Sequence, residues 1–306
     1  MLPQTINVPI EYKCDKCSFN IEFDQYKHFA YYFFSKIYCN NCKQIIDLYK
    51  IYLNLISRNF LLVDALACIG ANNTTFVIKI KKHEEFCLEF SKFGIPENAK
   101  IFFVSYTPQG PIMPVECRFN NPTFYKSYGN KIQIYPKPIF EFYDKHKNET
   151  PDFNDEVEVC VVVAWIKNDI DDFSFMNLVE AFENYLLFNF EKAIIPANVA
   201  VESSLSAFIF NKLSNIVGNS RTEDFLQSAA TYSYQLNVLL PVIANYEKFN
   251  AIPNEIRGKL NELRSLRNNI AHKGKLPSKI TKEKCAELIC SALFGYKYIQ
   301  LISNKI

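Results

Sequence analysis

Glycine is scarce, with 8 in 306 residues. Neither GxGxxG nor GxxxxGK[ST] occurs. Without such loops, whose backbone N–H groups cradle phosphate, a dinucleotide site or a P-loop is excluded. A surplus of one charge is also missing. Lys and Arg total 34 against 32 Asp and Glu, a net charge of +2, so no molecule-wide field points to nucleic acid; a local basic patch remains compatible with that balance. The N-terminus, Met1-Leu2-Pro3-Gln4-Thr5, has no basic stretch followed by an apolar core, which predicts no signal peptide. Long hydrophobic runs are lacking too. The longest, such as 157–166, are too short to span a bilayer, so no membrane association is expected.

Apolar mass is plentiful. Hydrophobic residues make up 49% and aromatics 15% of the chain, which excludes general disorder. The length predicts two or three domains. Of ten cysteines, six (Cys68, Cys87, Cys117, Cys160, Cys285 and Cys290) are scattered among apolar neighbours. With no export signal, they read as buried free thiols in a reducing, cytoplasmic setting.

The other four cysteines are grouped. Cys14-Asp15-Lys16-Cys17 and Cys39-Asn40-Asn41-Cys42 are separated by 21 residues. A CxxC turn brings two thiolates to one side of a knuckle, and two knuckles supply the four soft ligands of a tetrahedral Zn²⁺. Four protein ligands leave no position for water, so the expected zinc is structural. A redox or disulfide role is the competing reading, but no thioredoxin-like βαβ pattern surrounds either pair. His28, between the knuckles, reads as a surface residue. The segment 1–57 resembles a zinc ribbon, a kind of module that binds nucleic acid or protein or staples a small fold. Seven aromatics at 26–38 suit either base stacking or packing against the next domain, with packing preferred.

From 58 to 168 short β-type runs alternate with turn signals. Strands are expected at 74–81, 86–90, 101–106, 131–135 and 157–165, the first two forming a hairpin. Thr107-Pro108-Gln109-Gly110-Pro111 reads as a turn. The spacing predicts a β-sandwich-like domain with a scaffold or sensing role. His83 and His146 lie in charged surface stretches without ligand-spaced partners. Asn148-Glu149-Thr150 matches a glycosylation acceptor, which a cytoplasmic setting makes irrelevant.

Helical periodicity takes over at 169–306. The acidic residues at 169–172 precede helices expected at 175–193, 199–217, 222–245, 254–271 and 281–302, with Pro196 breaking the first and Pro241 ending or bending the third. That is enough for a bundle with its own core. On the fourth helix, Ile256, Leu260, Leu263, Leu266 and Ile270 share an apolar face. Arg257, Asn261, Arg264, Asn268 and His272 form a polar stripe. Arg267 falls inside the apolar face, so its guanidinium needs either a carboxylate (Glu180, Glu183 or Glu202) or a second subunit. On spacing alone, Arg267 and His272 read as helix-end cations that offset the dipole.

The phrase Leu266-Arg267-Asn268-Asn269-Ile270-Ala271-His272-Lys273-Gly274, on a late helix of an all-α domain, resembles the HEPN superfamily motif: an Arg, a polar residue, and a His after a short gap. The overall expectation is a multidomain α+β chain: an N-terminal zinc ribbon, a central β-sandwich-like domain and a C-terminal HEPN-like α-helical bundle. The resemblance implies a metal-independent endoribonuclease acting on RNA at a composite site between two helical domains of a homodimer, in defence or stress response. His272 would be the general acid or base, Arg267 would stabilise the phosphate, and Asn268 would orient His272 or the backbone. Arg264, Lys273 and Lys275 would contact phosphates. On an ideal helix Arg267 and His272 point about 140° apart, so they converge only across a dimer or if the helix unwinds. The alternative is a non-catalytic nucleic-acid- or protein-binding adaptor.

Overall fold

The computed structural model describes residues 4–7, 12–14, 16–21, 25–57, 62–81, 86–109, 125–128, 131–134, 156–167, 172–274 and 279–304. His83, Cys117, His146, the 148–150 acceptor and Lys275 lie outside them. The chain divides into two compact units: Met1–Val8 with Gly70–Asp169, and Pro9–Ile69 with Ile170–Ile306. This differs from the expected boundaries at 57/58 and 168/169, because the cysteine segment shares a unit with the C-terminal helices.

In the first unit, β1 (Gln4–Asn7), β4 (Asn72–Lys81), β9 (Glu156–Lys167) and β6 (Ala99–Gln109) form an antiparallel sheet in the order β1-β4-β9-β6. The run expected to be the strongest strand is β9, at the sheet's interior. Its Val161, Val163 and Trp165 join Phe76 and Ile78 of β4 in a buried core. The buried Trp165 indole donates to Thr74 Oγ1 at 2.9 Å. A second antiparallel sheet, β5 (Phe86–Glu89), β8 (Lys131–Ile134) and β7 (Tyr125–Tyr128), has the order β5-β8-β7 and contributes Leu88 to the same core.

Two strand expectations change here. β4 and β5 are not a hairpin: β4 lies between β1 and β9, and β5 pairs with β8. Phe90, which follows β5, instead opens a 3-10 turn (Phe90–Phe93) and joins the core, and Phe93 stacks on Phe76. The Thr107-Pro108-Gln109 segment is strand rather than turn. Proline is tolerated there because β6 is an edge strand among the described residues, where a missing N–H leaves no described neighbour unsatisfied.

In the second unit, α4 (Phe173–Leu186), α5 (Phe190–Val217), α6 (Asn219–Ser228), α9 (Asn254–Lys273) and α10 (Lys282–Asn304) form a helical body. Asp172 caps α4, its carboxylate accepting from Phe175 N–H at 3.0 Å, as the acidic stretch implied. Pro196 does not break a helix. It is buried within α5, and the break falls earlier, at Leu187-Phe188-Asn189, where Phe188 takes φ 59°. The third expected helix is divided as well. After α6 the chain re-enters helix at α7 (Tyr232–Tyr234), passes a π turn (Gln235–Leu239) and continues as α8 (Leu240–Tyr246). Pro241 has no N–H to give an i−4 carbonyl. The widened turn before it, with Leu240 N–H bonded to Gln235 O, carries the helix past that gap.

Helix α10 is the centre of this unit. Its residues from Cys285 to Tyr296 are nearly all buried, and α4, α5, α9 and α2 (Leu48–Ser57) pack around it. Phe294 sits in a box of edge-on rings from Phe29, Tyr32 and Phe33 of α1 (Gln25–Phe34) and Tyr49 and Tyr52 of α2. The Tyr49 hydroxyl reaches Ser291 Oγ at 2.8 Å, and Tyr185 donates to Ile56 O at 3.0 Å. The aromatic-rich 26–38 stretch is thus mainly a packing face, with Tyr31 and Tyr38 left exposed. His28 is buried, not on the surface.

Among the described residues two helices, Phe190–Val217 and Lys282–Asn304, are by length and composition apolar enough to cross a membrane, which a reading of uninterrupted apolar runs does not register. A few scattered polar residues had hidden them. Of their most apolar windows, 56% and 83% are buried within the protein, as suits core helices.

Candidate functional site

The two CxxC turns share one backbone design. Ser18 N–H donates to Cys14 O at 2.8 Å and Lys43 N–H to Cys39 O at 2.9 Å. Cys14 N–H donates to Phe19 O at 3.0 Å and Cys39 N–H to Gln44 O at 2.9 Å. The residue after each second cysteine, Ser18 or Lys43, is left-handed at φ 56° and 59°. The turns face each other, with Cys14 Sγ 3.6 Å from Cys42 Sγ and Cys17 Sγ 3.6 Å from Cys39 Sγ. All four sulfurs lie within 4.8 Å of one another.

These separations fit a metal. A tetrahedron with Zn–S near 2.3 Å has an edge of about 3.8 Å, whereas a disulfide needs about 2.05 Å; all four thiols are free. The Phe19 backbone hydrogen bond, with help from Asn41 and the neighbouring thiols, brings the Cys17 thiol down to about 6. At Cys42 the Gln44 backbone hydrogen bond pulls downward, but burial and the other three thiols outweigh it and push the thiol up to about 12. The cluster therefore holds one readily ionised thiol and one that stays protonated near neutral pH unless a metal ion displaces its proton. The intervening chain is not purely β: a short pair, β2 (Tyr12–Lys13) and β3 (Asn20–Ile21), flanks the first knuckle, and α1 follows. The four cysteines form a candidate zinc-binding module.

Helix α9 carries the Arg-Asn-x3-His phrase. Ile256, Leu260 and Leu263 are fully buried, but Leu266 and Ile270 on the same face are only half-buried. Core packing thus fades along the second half of the helix. Arg267 lies in that half, with its side chain 35% exposed. Its Nη2 is 3.6 Å from Glu202 Oε2 on α5, and its Nη1 donates to Asn268 Oδ1 at 3.1 Å. Glu202 is thus the carboxylate that answers the guanidinium, out of the three considered. Asn198, one turn earlier on α5, donates its Nδ2–H to the same Oε2 at 2.8 Å.

His272 and Lys273 are exposed in the last turn, which Gly274 closes at φ 66° with its N–H on Ile270 O. The helix runs unbroken from Asn254 to Lys273. It does not unwind before His272, so Arg267 and His272 remain on different sides within one chain. Arg264 is half-buried, and its Nε is buried without a hydrogen-bond partner among the described residues. The Asn198 Oδ1 and Tyr232 Oη atoms are in the same condition. Tyr232 feels Glu202 and Arg264 electrostatically, although burial is what chiefly raises its phenol above its ordinary range. Asn198 and Tyr232 were not foreseen. The available signal was an amide inside the apolar run of α5, at Ala197-Asn198-Val199.

No protein-family model, curated protein or solved structure matches this chain.

Proposed function

We propose that the chain is a metal-independent endoribonuclease of the HEPN type, acting on RNA at a composite site built from the α9 ends of two copies. The observation that carries this reading is the Arg267-Asn268-x3-His272 phrase, on an unbroken penultimate helix of a helical body, ending in an exposed, glycine-closed turn. Arg267 supplies a planar cation for the scissile phosphate, Asn268 holds that cation's edge, and His272 moves the proton. Arg264 and Lys273 add phosphate contacts from the same helix, and Lys275 from beyond its end. The half-buried Leu266 and Ile270 suit a homodimer contact beside the motif. Zinc, held by Cys14, Cys17, Cys39 and Cys42 as in a zinc ribbon, is structural, and the two sheets of the first unit form a sandwich-like sensing domain. The free thiols accord with a reducing, cytoplasmic setting.

One observation favours the second reading, a non-catalytic nucleic-acid- or protein-binding adaptor. Arg267 is already paired with Glu202, which offsets the charge a phosphate would seek. The two are separated by incubating zinc-loaded protein with single-stranded RNA without added divalent metal. Cleavage is expected, and His272→Ala should slow it by about 10²–10⁴-fold, the usual worth of a general acid or base, with dimerisation unchanged. Mixing Arg267→Ala and His272→Ala copies should restore part of the activity, because one of the two mixed sites keeps both groups. Wild-type rates in His272→Ala would end the nuclease reading.

A further inference from the structure

Four exposed large apolar side chains fall on one short helical run: Tyr234, Val238, Val242 and Tyr246, at 43, 40, 60 and 83% exposure. They recur at every fourth residue from α7 through the π turn into α8. At 1.5 Å per residue they form a stripe about 18 Å long. Along an α-helix such a row drifts about 40° per step. The π turn, with its wider i→i+5 rings, takes up an extra residue and sets part of that drift back. The other side of the run is spent on the protein's own core, through Tyr232, Leu236, Leu240 and Ala244.

The stretch 225–246 also contains no Asp, Glu, Lys, Arg or His. An exposed helix face ordinarily carries charge, and its absence beside exposed tyrosines is the composition of an interface centre. The order of the residues defines the partner. Tyr-x3-Val-x3-Val-x3-Tyr reads the same in both directions about its midpoint, Leu240. In a two-fold contact residue i meets j of the partner while j meets i. Laid antiparallel, a second copy sets Tyr234 against the partner's Tyr246 and Val238 against the partner's Val242, ring on ring and aliphatic on aliphatic. A charge close to a two-fold axis would face its own copy, a repulsion that the neutral stretch avoids. A different protein imposes neither condition.

We propose that the stripe of Tyr234, Val238, Val242 and Tyr246 is a self-association face that pairs two copies of this chain antiparallel about Leu240. The Lys212–Glu247 ion pair, at 2.9 Å, sets the end of α5 beside the Tyr246 end of the stripe. Ile216 and Val217, exposed one turn beyond Lys212, widen the apolar surface there. A contact built on one helix lies at the low end of specific interfaces, where complexes are weak and transient, so a dissociation constant on the order of micromolar is expected. The contact is distinct from a meeting of the α9 ends and holds whether or not that motif cleaves RNA.

Sedimentation velocity of the zinc-loaded, full-length protein, at concentrations spanning the micromolar range, tests it. The 35.5 kDa chain is expected to double in mass as concentration rises. Val238→Lys and Val242→Glu should each weaken that doubling at least about tenfold, because each sets a charge against a valine in the contact. Both positions face solvent in the single chain, so the melting temperature of the dilute variants should equal that of dilute wild type. Mixing the two variants should restore the doubling, because in the antiparallel register the introduced lysine meets the introduced glutamate. Where the α9 ends pair as well, wild type doubles twice and each variant loses one doubling. Wild type that stays at the mass of one chain, a doubling that survives both substitutions, or mixing without recovery would each overturn the proposal. So would a lowered melting temperature in the dilute variants, which would show that this chain's own residues cover the stripe.

Discussion

Lysine at position 43 shows how far one residue can be read from its neighbours. The CxxC spacing announces two knuckles, but the residue after each second cysteine must turn left-handed for the next residue's carbonyl to come back onto the first cysteine's N–H. Glycine takes that conformation freely, whereas an L side chain pays roughly 1–2 kcal/mol for it. Here Ser18 and Lys43 occupy those places. Lys43→Gly gives up about 0.4–1 kcal/mol through a more flexible unfolded chain, less than the left-handed strain it relieves. The zinc-loaded protein should therefore gain about 0.5–1 kcal/mol in equilibrium unfolding, and Lys43→Val, which crowds Cβ further, should lose at least that much. A Lys43→Gly protein less stable than wild type would show that the lysine side chain does something more than tolerate the turn.

Legibility at this scale follows chemistry that works through fixed spacing. The four thiols were readable because a tetrahedral ion demands two close pairs, and the structure brings them within 4.8 Å. Asn198 and Tyr232 were not, because 33 intervening residues and a helix break separate them, and only tertiary packing makes them neighbours of Glu202 and Arg264. Arg267 stood between these cases. Its place on an apolar face required a carboxylate, but choosing Glu202 took the packing of α5 against α9.

Elements were readable where periodicity and termination agreed. β9 and α9 fall within two residues of their expected limits because alternation, amphipathicity and a closing glycine coincide. Prolines misled, because their effect depends on position: Pro108 sits on an edge strand, Pro196 within a packed helix, and Pro241 behind a π turn that absorbs its missing donor. Glycines in helices differ in the same contextual way. Gly258 on α9 has nothing within 4 Å of a would-be Cβ, whereas one on Gly295 of α10 would meet Leu260 at 3.0 Å and Val201 at 3.4 Å. Gly258→Ala should stabilise by about 0.8–1 kcal/mol, the helix-propensity difference. Gly295→Val should destabilise by about 1–3 kcal/mol by prising α5 and α9 off α10. Urea unfolding of both variants checks the pair, and equal effects would refute the packing difference.

For the molecule as a whole, the main surprise is where the cysteine segment belongs. A zinc module at the N-terminus reads as an appendage, yet 9–69 and 170–306 form one unit, joined through Phe294 and the rings of α1 and α2. The reason is chain economy at the level of the core: α1 and α2 lie between and just after the knuckles, and their apolar faces have α10 to cover them. A metal held by the four cysteines would therefore do more than close a local loop, because it would fix the segment that completes the aromatic box. Structural zinc in small sites contributes about 10–16 kcal/mol of apparent binding free energy near neutral pH, released when thiolates are reprotonated. Removing the metal, by a chelator or by Cys14→Ser with Cys42→Ser, should loosen the packing around Phe294. Hydrogen exchange would show it as faster exchange at α10 amides, with β9 amides in the other unit unchanged. In the apo protein Cys17, its thiol down to about 6 when folded, lends stability that is full above the ordinary thiol range and is lost as pH falls toward about 6, while the raised Cys42 thiol works in the opposite sense at high pH. Added zinc should restore α10 protection with release of protons from the thiols. Unchanged α10 exchange in the metal-free protein would mean that the aromatic box holds without the knuckles, and that zinc serves only its own turn.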